Sequence, residues 1–73
     1  MIKLPQVTAK ETVKKLEKAG LEVKRVTGSH YIMRSPDGIR YASVPMHQGA
    51  VKKGTLHSIL KGAQLSREKF IEL

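Results

Sequence analysis

LEVKRVTGSHYIMRSPDGIRYASVP, residues 21–45, is the stretch whose reading decides the fold. Its first part alternates and is rich in branched side chains, which predicts a strand over 21–26. Thr27-Gly28-Ser29 is turn chemistry, and a second strand follows over 30–34. Ser35-Pro36-Asp37-Gly38 fits a type I turn with Pro at its second position and a Gly able to take positive φ, so the chain returns as a third strand over 39–45. Consecutive antiparallel strands of this kind form a meander. If Pro36, Asp37 and Gly38 make a three-residue loop, Ser35 pairs with Ile39, Arg34 with Arg40 and His30 with Val44.

Working outward, Thr8-Ala9-Lys10-Glu11 reads as a capping box, in which a hydroxyl and a carboxylate satisfy otherwise orphaned backbone N–H groups. A helix is expected from Ala9 to about Ala19, with Ala9, Val13 and Leu16 facing inward, Lys10, Lys14 and Lys18 outward, and Gly20 as the left-handed stop. After the third strand, Pro45, Gln48, Gly49 and Gly54 mark a loop. Leu56, Ile59, Leu60 and Ala63 then recur at helical spacing, predicting a second helix over 53–61. Ser66 caps a last short helical turn through Phe70. The order is α-β-β-β-α, an α+β fold in which both helices pack on one face of a three-stranded antiparallel sheet and leave the other open. That is the double-stranded-RNA-binding-domain layout, and residues 1–73 read as a single domain.

Seventy-three residues support one modest core, since a domain this short hides only about 60% of its unfolded surface. There is no Cys, so neither a disulfide nor a thiolate metal site contributes, which favours the cytoplasm. No stretch has the length of a membrane span and the N-terminus lacks a secretory signal, so a soluble, unexported chain is expected. Fourteen Lys and Arg against six Asp and Glu give a formal net charge of +8, which points to a polyanionic partner: RNA, DNA or an acidic protein. The charge is spread along the whole chain, so the folded surface itself is basic. Aromatics are few (Tyr31, Tyr41, Phe70), which argues against a binder built on many stacking platforms.

Gly28-Ser29-His30-Tyr31-Ile32-Met33 resembles the Gly-Ser-His signature that begins the second strand of HicA (YcfA-like) toxins. Val44-Pro45-Met46-His47, Gly54-Thr55-Leu56 with Ile59-Leu60, and residues 63–70 resemble that family's later blocks in the same order and spacing. The resemblance implies the fold read above and ribosome-independent cleavage of messenger RNA, with His30 as the catalytic residue. It also implies a cognate HicB-like antitoxin that covers the active site with an acidic surface.

The residues themselves suit that chemistry. An imidazole titrates near neutrality and can take the proton from a ribose 2′-hydroxyl, which then attacks the adjacent phosphate. Gly28 permits close backbone approach to a phosphate and Ser29 can donate to one of its oxygens. His47 is either a general acid for the leaving 5′-oxygen or a solvated loop residue. Taken without the resemblance, His30 is a strand-start histidine that needs no chemistry at all. His57 reads as a helix-surface residue. Arg34 and Arg40, paired across the strands in the register above, would repel unless an anion sat between them, and Lys24, Arg25, Lys52 and Lys53 extend that basic track. The scattered His residues lack zinc spacing and no acidic cluster suits magnesium, so no metal or other cofactor is expected. The alternative is a non-catalytic double-stranded-RNA-binding module on the same surface; a DNA-binding protein has less support, because no helix-turn-helix spacing is evident.

Overall fold

A computed structural model describes residues 4, 6–46 and 49–73. The elements are α1 (Ala9–Lys18), β1 (Glu22–Thr27), β2 (His30–Arg34), β3 (Tyr41–Pro45), α2 (Lys53–Ala63) and α3 (Arg67–Glu72). The strands form one antiparallel sheet in the order β1-β2-β3. This is the α+β, α-β-β-β-α layout expected, closed by a short C-terminal helix.

The capping box forms in full. The Thr8 backbone N–H donates to Glu11 Oε1 at 2.9 Å and the Glu11 N–H to Thr8 Oγ1 at 3.2 Å, and the first of these holds the Glu11 carboxyl below its usual pKa. Gly20, at φ +100, ends α1 by turning into the left-handed region that side chains avoid. Met33 and its cross-strand partner Ala42, with Val44, face Ala9, Val13 and Leu16 of α1 and Ile59 and Ala63 of α2 in one buried cluster. Both helices therefore cover the same side of the sheet. A second cluster joins Leu4, Val7, Leu56, Leu60 and Phe70, beneath α3. Lys15 ties that end to α1: its ammonium donates to the carbonyls of Phe70 and Leu73 at 3.2 and 2.9 Å and lies 5.2 Å from the Phe70 ring centroid.

The β2–β3 register differs by one residue from the one expected. Pairs run His30↔Pro45, Tyr31↔Val44, Ile32↔Ser43, Met33↔Ala42 and Arg34↔Tyr41. The cause is the hairpin loop. The turn does close, with Gly38 N–H donating to the Ser35 carbonyl at 2.8 Å, but Ile39 joins the loop and Ser35 N–H pairs with the Arg40 carbonyl at 3.0 Å. Asp37 stabilises the longer loop by accepting from the Ser35 hydroxyl and, at 3.0 Å, from the Ile39 N–H. The Ser35 hydroxyl bond is the main reason the Asp37 carboxyl stays below its usual pKa. Consequently Arg34 faces Tyr41 and the expected Arg34–Arg40 pair does not form. Arg40 instead donates from Nε to the Ala63 carbonyl at 2.8 Å and from Nη1 to the Ala19 carbonyl at 2.9 Å, joining the C-terminal ends of both long helices.

Candidate active site

His30 opens β2 and is solvent-exposed. Gly28 and Ser29 form the two-residue turn that precedes it, with Thr27 and His30 as the closing pair. Gly28 sits at φ +52, and a Cβ there would meet nothing within 4 Å, so the turn needs glycine for backbone conformation and not for space. Ser29 accepts from the Met46 N–H, which carries the β2–β3 pairing one step past His30 and fixes the histidine against the exit of β3.

Alternation along the strands puts His30, Ile32 and Arg34 with Tyr41, Ser43 and Pro45 on the face the helices leave open. A cavity of about 590 Å³ opens at the His30 end, walled by Ser43 and Pro45, by residues 49–52 and by Thr55 of α2. The segment before α2 is held there by pairing with the N-terminal stretch: Val51 N–H donates to the Val7 carbonyl at 2.8 Å, beside a Thr8↔Ala50 bridge. Lys52 is the N-cap of α2, yet among the described residues no side chain caps that end, and its first turn carries no acidic residue. The positive end of the helix dipole thus borders the cavity together with Lys52, an arrangement that attracts an anion. An exposed imidazole beside such a site can exchange a proton with a group attached to that anion.

Of the other residues the sequence singled out, Lys53 is exposed at the start of α2 and His57 is exposed on it. Arg25 pairs with Ile32, on the open face. Lys24 is the extra residue where the β1–β2 register shifts, and its ammonium lies 2.7 Å from the Glu22 carboxylate. Arg34 holds its guanidinium 4.9 Å from the Tyr41 ring centroid. His47 lies outside the described residues. Ser43 and Thr55, which line the cavity, are given no role by the sequence, because small hydroxyls carry no spacing signal. Among the described residues no group of three or more His, Cys, Asp or Glu stands together as a metal site, and no helix is long and apolar enough to cross a membrane.

The fold and cavity define a small basic α+β protein with a histidine exposed at an anion-attracting site. Residues 9–65 match the family model described as HicA toxin of bacterial toxin-antitoxin, and the chain belongs to that family. No curated protein matches the chain. Membership makes it a toxin of a toxin-antitoxin pair, with an antitoxin as its partner.

Proposed function

We propose that this toxin is a ribosome-independent endoribonuclease that cuts messenger RNA in the cytoplasm by internal transesterification. The observation that carries the proposal is the shared cavity of His30, Lys52 and the start of α2, in a chain of the HicA family. His30 acts as general base and removes the proton of a ribose 2′-hydroxyl. The 2′-oxygen then bonds to the adjacent phosphorus and the bond from phosphorus to the 5′-oxygen breaks, leaving a 2′,3′-cyclic phosphate and, after protonation, a 5′-hydroxyl. Lys52, Lys53 and the α2 N-terminal N–H groups stabilise the charge that builds on the phosphoryl oxygens. Ser29 supports the phosphate, Gly28 sets the turn that presents His30, and His47 is the residue the sequence offers as the acid for the leaving oxygen. Lys24, Arg25 and Arg34 hold neighbouring phosphates. Arg40 shares that role only through the part of its guanidinium not given to Ala63 and Ala19. The imidazole supplies the base without a metal. The partner is a HicB-like antitoxin presenting carboxylates to this basic face, and residues 1–73 act as one domain.

Purified protein incubated with RNA, with and without chelator, tests the proposal. Cleavage that survives chelator and is lost in His30→Ala, with RNA binding retained, is the expected result. Unchanged behaviour of His30→Ala would return the chain to a binding module of double-stranded-RNA type.

A further inference from the structure

The His30 cavity does not end at His30. A second, smaller cavity of about 170 Å³ lies farther along β3, lined by Tyr41, Ser43, Thr55, Ser58 and Gly62. Ser43 and Thr55 line both, so the two cavities adjoin each other between β3 and a side of α2. The width at the far end is set by Gly62. A Cβ there would stand 2.5 Å from the Tyr41 carbonyl oxygen and 3.9 Å from the Tyr41 ring, so only glycine lets the helix lie this close to the strand. Tyr41 is 38% exposed. Its ring is held by the Arg34 guanidinium, which does not itself line the cavity.

We infer that this second cavity takes a nucleobase of single-stranded RNA, flanking the phosphate held at His30, with Tyr41 as its stacking platform. The inference rests on the ribonuclease reading for the identity of the ligand. Its volume is well below the ~300–1,000 Å³ of a site for a complete drug-sized ligand, and a flat ring fits it. The His30–Pro45 and Arg34–Tyr41 pairs are four residues apart along β2, about 13 Å at ~3.3 Å per residue. That is beyond the ribose under attack and within reach of a neighbouring nucleotide. Stacking on an aromatic ring tolerates any base, and the mainly apolar lining, to which Ala42 and Ile59 also contribute, suits the face of a base and not its hydrogen-bonding edge. Arg34, held over Tyr41, adds charge for the linking phosphate. One platform suffices for one flanking base, which is consistent with so few aromatics.

The test uses single-stranded 2′-O-methyl RNA, which lacks the attacking hydroxyl, with 2-aminopurine stepped through successive positions. Bound to the full chain, the probe fluorescence should be quenched at one position. Tyr41→Phe should keep the quenching and the affinity, while Tyr41→Leu should lose the quenching and bind about tenfold more weakly, in line with the stacking of one base. Tyr41→Leu that quenches and binds like the parent chain overturns the inference. If Tyr41→Leu melts early, an abasic nucleotide at the quenched position gives the same comparison on the parent chain: a loss of about tenfold supports the subsite and no loss overturns it. Cleavage of the unmodified RNA by the parent chain is scored separately, so failure of the ribonuclease reading is distinguishable from failure of the base subsite.

Discussion

Arg40 and Ala63 are joined by a hydrogen bond of 2.8 Å from the guanidinium Nε to the carbonyl at the last residue of α2, while the same side chain reaches Ala19 after α1. A cation at two helix C-terminal ends satisfies orphaned carbonyls and complements both dipoles. Hydrogen bonds to a charged group contribute about 1.5–3 kcal/mol each, so Arg40→Ala, which removes two, should lose roughly 3–6 kcal/mol. At ~4–8 °C per kcal/mol for a domain of this size, Tm should fall by about 10 °C or more. Arg40→Lys should recover less than half of that, because a single ammonium cannot span both ends as the fork does. Thermal and denaturant unfolding check this; a Tm within about 2 °C of the parent for Arg40→Ala would show that the bonds contribute little.

Gly62→Ala reverses the usual sign of a helix substitution. In an open helix it would stabilise by about 1 kcal/mol. Here the new methyl meets the Tyr41 carbonyl oxygen at 2.5 Å, and backbone must move to admit it. A loss of about 1–3 kcal/mol is expected, as for other overpacked sites. Gly54→Ala, where a Cβ meets nothing within 4 Å, is the control and should not destabilise.

The Asp37 loop makes stability depend on pH in a definite direction. Its carboxyl is held below its usual pKa by the Ser35 hydroxyl and the Ile39 N–H, so the folded state favours the ionised form. That contribution is complete above the ordinary carboxylate value of about 3.9 and disappears as pH falls through that value and below. Asp37→Asn should therefore be less stable than the parent at neutral pH, with the gap closing in acid. Parallel unfolding curves across the pH range check it, and a gap that widens in acid would contradict the assignment.

How far the sequence reveals this architecture depends on the kind of signal. The capping box at Thr8 and the glycine stop at Gly20 are local chemistry, and each forms as read, whereas the turn that closes at Gly38 sits in a loop longer than the three residues expected. The register after that turn was not legible, because whether Ile39 belongs to loop or strand is settled by the Ser35 and Asp37 side chains, not by the turn type. That slip moved Arg40 from a supposed anion pair to the helix ends. Lys15 shows the same limit: its partners lie 55 and 58 residues away. His30 was legible as a candidate through its motif, whereas the cavity beside it arises from the packing of α2 on β3, which no local pattern encodes.

Salt dependence probes the basic face. If roughly five phosphates of a single strand are neutralised, log affinity should fall with log salt at a slope near about −3.5. In the proposed mode, in which RNA and antitoxin approach the same face, Arg34→Glu should flatten the slope and weaken both together. Loss of RNA affinity with antitoxin affinity intact would mean that the inhibitor grips another surface.

The most direct measurement of the central claim is the rate at which the purified chain and its His30→Ala variant cut one RNA, beside the same RNA carrying a single 2′-deoxy nucleotide at the cut. General-base catalysis by a positioned imidazole contributes typically 10²–10⁴-fold, so His30→Ala should slow cleavage by about that factor while RNA affinity changes little, and the 2′-deoxy substrate should resist the parent chain. Equal rates for the parent and His30→Ala, or cutting at the 2′-deoxy position, would contradict it.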